Sequence, residues 1–126
     1  MTDMRTPLRR VRGLGSAASG TEHFWQQRLT AVANLFLISF FVILVIALHN
    51  ESYADVRAAF ANPLVGIAMA LVTVSAAIHM KIGMQVIIED YVHGGMKVVL
   101  VIFNTFFAVA IAGASLFAIV KMSFGV

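Results

Sequence analysis

Three runs of apolar positions, each close to the length of a bilayer-crossing helix, set the pattern of this chain. The first covers residues 29–48 and is broken only by mild residues such as Thr30, Asn34 and Ser39. The second covers residues 64–88 and contains His79, Lys81 and Gln85, and the third covers residues 98–120 between Lys97 and Lys121. About 20 apolar residues in helical form cross the hydrocarbon core. Backbone groups in lipid must be satisfied within their own segment, which leaves helices or closed barrels. No alternation of apolar and polar positions marks barrel strands. The pattern therefore predicts an all-α membrane protein with three transmembrane helices.

The punctuation agrees with this division. Ser19 or Thr21 is placed to cap a short helix, with Glu22 near its start, that runs through residues 23–28 into the first span. Phe24 and Trp25 suit the headgroup zone. Asn62-Pro63 offers a start for the second helix, because proline is tolerated at the first helical position. Gly94-Gly95 turns the chain into the third. We expect one membrane domain over residues 22–126, preceded by a basic cytoplasmic tail over residues 1–21.

Composition supports the class and excludes others. Charged residues make up 12% of the chain, against about 25% in soluble domains, and 60% of residues are hydrophobic. The absence of cysteine excludes disulfides, thiolate metal sites and cysteine nucleophiles. A net charge of +3 could suggest nucleic acid, but the cations lie beside hydrophobic spans, where they set orientation. Arg5, Arg9, Arg10, Arg12 and Arg28 precede or open the first span, whereas Arg57 shares its loop with Glu51 and Asp55. That asymmetry predicts a cytoplasmic amino terminus, an outer 50–62 loop, an inner 89–97 loop and a periplasmic carboxy terminus. The first span exceeds the roughly 7–15 apolar residues of a signal peptide and is expected to be retained.

Candidate chemistry centres on His79. His23, His49 and His93 fall at or beyond the ends of spans, and His79 alone lies within one. An ionisable residue at that depth is a functional-site hypothesis by default. The eleven residues to Asp90 turn through roughly 1100°, three turns plus about 20°, so His79, Gly83, Val86 and Asp90 share a helix face over about 16 Å. Gly83, one turn from His79, and Ser75, one turn the other way, leave room beside the imidazole. Neutral imidazole is a good ligand for haem iron. It also serves as a hydrogen-bonding residue between helices, and both readings stand at this point. A proton relay is a third reading, but no carboxylate lies within the spans to continue it. Two-histidine ligation would need its second histidine from a partner chain.

The rim of the second helix offers Asp90 and Tyr91, whose hydroxyl could donate to a quinone carbonyl or could simply anchor the interface. Arg28 could pair with a haem propionate or act as an orientation charge. Lys81, two residues beyond His79, points about 200° away from it.

The segment from His79 to Val92, HMKIGMQVIIEDYV, resembles the H-x-x-x-G-M-x-x-x-x-x-D-Y-V signature of the smaller hydrophobic membrane-anchor subunit of succinate dehydrogenase. Arg28-Leu29-Thr30-Ala31 is similar to that family's R-x-T-A, and the resemblance extends from about Glu22 onward. It implies packing with a partner anchor subunit into a larger bundle. It further implies a haem b shared with a cytochrome b556-type anchor subunit, with His79 as axial ligand, Gly83 packing against the cofactor and Arg28 near a propionate. Tyr91 and Asp90 would lie at a ubiquinone site. Flavoprotein and iron–sulfur subunits would oxidise succinate, since this chain carries no flavin or cluster motif. In the bacterial inner membrane such a chain would be a non-catalytic anchor subunit of the enzyme. Rival readings are an anchor for a quinol:fumarate reductase, a small transporter subunit, or a non-redox assembly subunit.

Overall fold

A computed structural model describes residues 6–13 and 19–125. Among them are five helices: α1 (Pro7–Val11), α2 (Ser19–Leu48), α3 (Tyr53–Ala61), α4 (Pro63–Tyr91) and α5 (Gly95–Phe124). Three of these, over Thr21–Leu48, Pro63–Tyr91 and Gly95–Phe124, are long and apolar enough to cross a membrane. The all-helical, three-span architecture is as the sequence predicts. Much of the expected tail, including Arg5 and residues 14–18, lies outside the described residues.

Local chemistry sets the helix ends. The Asn62 side chain caps α4 by accepting from the Leu64 amide at 3.0 Å, with Pro63 in the first turn, where its missing N–H costs nothing. The Asn62 amide also donates to the Ala59 carbonyl and closes α3, so one residue both ends a helix and starts the next. Ser52 caps α3 through the Asp55 amide. Between α4 and α5 the turn passes through Gly94 at φ 73°, a backbone region that favours glycine.

One feature departs from the sequence reading. The 50–62 loop contains a helix, α3, which packs on α4 and α5. Its nine residues are too short to show a span, and its apolar positions Val56 and Phe60 are the ones that turn inward. Helix α2 runs without a break from Ser19, so the polar residues before Leu29 are helical and lead into the first span, as the sequence reading has it.

The central helix is α4, packed against α2 on one side and α5 on the other. Phe60, Met69, Val72 and Ile119 form the buried apolar cluster, flanked by Leu37, Phe40, Leu44 and Leu48 of α2 and by Val56, Val65 and Met122. This core fills the end of the bundle near α3. Toward the other end the α2–α4 seam changes character and becomes polar. On the α5 side, buried Asn104 donates from Nδ2 to the Lys81 carbonyl at 2.9 Å, tying the two helices across the membrane interior. Large apolar side chains on the outer faces, among them Leu35, Phe36, Ile43, Phe103 and Phe106, are exposed, as expected for surfaces that meet lipid or another membrane subunit.

Candidate functional site

The polar seam is built from two stripes. Gln27, Thr30 and Asn34 recur at i, i+3, i+7 on α2, and Ser75, His79 and Gly83 recur at i, i+4, i+8 on α4. Such spacings place each set on one face of its helix. Because the helices run antiparallel, the stripes meet rung by rung. The Thr30 hydroxyl lies 3.1 Å from His79 Nδ1, and the Gln27 amide nitrogen lies 3.4 Å from His79 Nε2. Both ring nitrogens thus face α2, and His79 is half-buried between the helices.

The hydrogen-bond arithmetic points to one tautomer. The Thr30 hydroxyl has carbonyl acceptors on its own helix, Gln26 at 2.7 Å and Gln27 at 3.2 Å. When its single proton goes to the nearer of them, only a lone pair is left for the ring, an arrangement that assigns the proton to Nδ1 as donor. Nε2 is then the unprotonated nitrogen, and it accepts a long bond from the Gln27 amide. Imidazole binds iron through such a lone pair.

Gly83 borders the same spot. A Cβ there would have one non-local neighbour within 4 Å, the Gln27 amide nitrogen at 3.4 Å. The Gln27 amide therefore occupies the notch between Gly83 and Nε2. Its own oxygen, Oε1, is buried with no partner among the described residues, as are Asn34 Oδ1 and Ser75 Oγ one turn deeper. Buried polar atoms without partners are costly in an apolar setting.

Depth can be read from the helices themselves. The midpoint of α4 falls at Ala77, so His79 is about 3 Å from it along the axis. Thr30, at the same level, is about 5 Å from the midpoint of α2. His79 is thus a mid-bundle residue. Arg28, two residues before Thr30, is exposed, with its guanidinium 4.4 Å from the centre of the Phe24 ring, a cation–π contact.

Asp90 and Tyr91 close the last turn of α4, about 16–18 Å from His79 along the axis, and both are exposed. The structure does not bring them to His79; it places them at one end of the same continuous helix. Lys81 is half-buried on the α5 side, beside a shallow cleft of about 150 Å³ lined with Ala77, Ala108 and Ala112, away from His79 as the helical spacing predicts. No group of three or more His, Cys, Asp or Glu residues that could enclose a metal ion exists among the described residues.

Residues 2–121 match the family described as the succinate dehydrogenase/fumarate reductase transmembrane subunit. The chain belongs to that family. It is similar to the succinate dehydrogenase hydrophobic membrane anchor subunit of Paracoccus denitrificans, with 32% identity over 95% of this chain and 93% of the relative. It is also similar to the protein of the same description from Rickettsia bellii (strain RML369-C), with 28% identity over 71% of this chain and 72% of the relative. No solved structure matches it. Within this transmembrane subunit, Gln27 is a residue that sequence reasoning missed, and Thr30 entered only through the R-x-T-A likeness, without a role. Their signal was available: with Asn34 they form a polar stripe at helical spacing in an apolar helix. It was overlooked because each residue alone is mild enough to be tolerated in a span.

Proposed function

We propose that the chain is the membrane anchor subunit of a succinate:ubiquinone oxidoreductase, supplying one axial ligand to a haem b and part of a ubiquinone site. The observation that carries this reading is a mid-bundle histidine whose Nε2, met only by the long 3.4 Å contact of the Gln27 amide, lies beside a glycine notch. The residues fit the group. His79 would bind iron through Nε2, Gly83 would leave space for the macrocycle, and Gln27, the only side chain among the described residues within reach of the notch, is flexible. Arg28, exposed two residues from Thr30 on α2, would pair with a propionate. When bound, a b haem supplies a one-electron relay. The described part of the chain offers no second histidine at this depth, so the other ligand would come from a partner, a cytochrome b556-type anchor subunit.

At the end of α4, the exposed Tyr91 hydroxyl is free to donate to a quinone carbonyl, with Asp90 beside it to order the donor. Succinate oxidation itself would fall to flavoprotein and iron–sulfur subunits docked on this side of the membrane. The positive-inside rule makes that side the cytoplasm of a bacterium: in sequence Arg10, Arg12 and Arg28 precede the apolar run of α2 and Lys97 opens α5, against Arg57 in α3 and Lys121 near the end of α5. Succinate oxidation is favoured over fumarate reduction because both relatives are described as succinate dehydrogenase subunits.

The test is a reduced-minus-oxidised optical spectrum of the complex purified through this chain. A b-type haem band is expected, and its absence would sink the cofactor assignment. Tyr91→Phe is expected to slow ubiquinone reduction about tenfold, the order of one lost hydrogen bond to a developing charge. Succinate oxidation with an artificial acceptor should be unaffected. Equal loss of both activities would instead assign Tyr91 to assembly.

A further inference from the structure

Resting on the ligand reading of His79, we propose that Thr30 is a positioning residue for the haem ligand and that Gln27 is its exchangeable cap. The two residues lie one turn apart on α2 and grip the two ring nitrogens of one imidazole. Their grips differ in kind. The Thr30 bond is short, at 3.1 Å, and its hydroxyl is itself fixed by donating to the Gln26 carbonyl. It holds Nδ1 protonated, sets the ring plane, and leaves Nε2 as the coordinating nitrogen. A hydrogen bond from the distal N–H of a ligating histidine raises the basicity of the ligand and locks its orientation.

The Gln27 contact is weak by comparison. At 3.4 Å it lies at the limit of a hydrogen bond, and the amide oxygen is buried without a partner. An amide satisfied at one end only is easily displaced. It covers the lone pair of Nε2 and fills the notch beside Gly83. Ligation through Nε2 requires that this amide swing away, whereas the Thr30 bond can persist unchanged. The cap thus keeps a costly bare nitrogen satisfied at mid-bundle, and the threonine keeps the ring ready.

The test uses the intact detergent-solubilised complex and measures haem loss to excess apomyoglobin together with the electron paramagnetic resonance g values of the ferric haem. Thr30→Val, nearly isosteric but without the hydroxyl, is expected to lose haem about 10- to 100-fold faster and to shift the g values. Thr30→Ser restores the hydroxyl and is expected to match the parent in both. Parental behaviour of Thr30→Val, or a Thr30→Ser variant as impaired as Thr30→Val, would overturn the positioning role. Gln27→Ala is expected to hold haem at least as firmly as the parent; loss comparable to that of Thr30→Val would overturn its role as an exchangeable cap. His79→Ala, run alongside, separates the two levels of the argument. An unchanged haem in that variant removes the ligand reading itself. Loss of haem there, with Thr30→Val parental, removes only the role of Thr30.

Discussion

His79→Ala is expected to yield a complex that still assembles but shows no b-type haem band, with affinity for the group lowered by more than about 100-fold. The size of the effect follows from what each bond contributes. Perturbing a partner of a metal ligand costs about 10- to 100-fold in affinity, and removing the ligand itself must cost more. The structural cost is smaller. Alanine breaks the cross-helix contacts to Thr30 and Gln27, and such bonds contribute on average about 0.6 kcal/mol each in membrane bundles. The Asn104–Lys81 tie between α4 and α5 and the apolar cluster around Met69 and Val72 do not involve this residue. The variant should therefore fold and lose its spectrum. Substituting His23, His49 or His93, all exposed and near helix ends, should leave the band in place. A His79→Ala complex with an unaltered band would move the ligand to another chain.

Much of this architecture can be read from the chain, and the residues explain why. The three spans are visible because lipid demands about 20 apolar residues in sequence, a requirement met locally and without reference to any partner. The start of α4 is visible because Asn62-Pro63 does its capping within three residues. The pairing of α2 with α4 is not visible in this way: a hydropathy window finds each span alone, and only contacts such as Thr30–His79 set their register. Helix α3 escapes for a similar reason: its inward-facing Val56 and Phe60 are a pair in a nine-residue segment, and they acquire meaning only when α4 and α5 lie beneath them. His79 stood out because it is the sole histidine in a span. Thr30 and Gln27 did not, because the tautomer they impose is a property of two helices brought into register, and register is a tertiary fact.

The opposite end of the bundle supplies the largest expected effect on stability. Gly66 is buried on α4 where α3, α4 and α5 converge. A Cβ at this position would stand 2.8 Å from the Ser123 hydroxyl oxygen and 3.6 Å from the Phe60 carbonyl oxygen. Gly66→Leu is accordingly expected to destabilise the subunit by about 3 kcal/mol, the upper range for overpacking, because a branched side chain must push α5 away from α4. Gly66→Ala is a finer probe. Helix propensity favours alanine over glycine by about 1 kcal/mol, and the close atom is a serine hydroxyl that can rotate, so the two effects should nearly cancel. Ser123 Oγ is buried with no hydrogen-bond partner among the described residues, which makes its removal cheap. The double variant Gly66→Ala/Ser123→Ala should thus melt above the parent, while Gly66→Leu melts well below it, both followed by circular dichroism of the solubilised complex. His79 lies thirteen residues, about 20 Å, along α4 from Gly66, so the haem band of each variant should persist up to its own melting temperature. A Gly66→Leu complex that melts with the parent would show that α5 can move away from α4 at little cost, and that the Asn104–Lys81 tie and the lower apolar contacts are enough to hold the bundle.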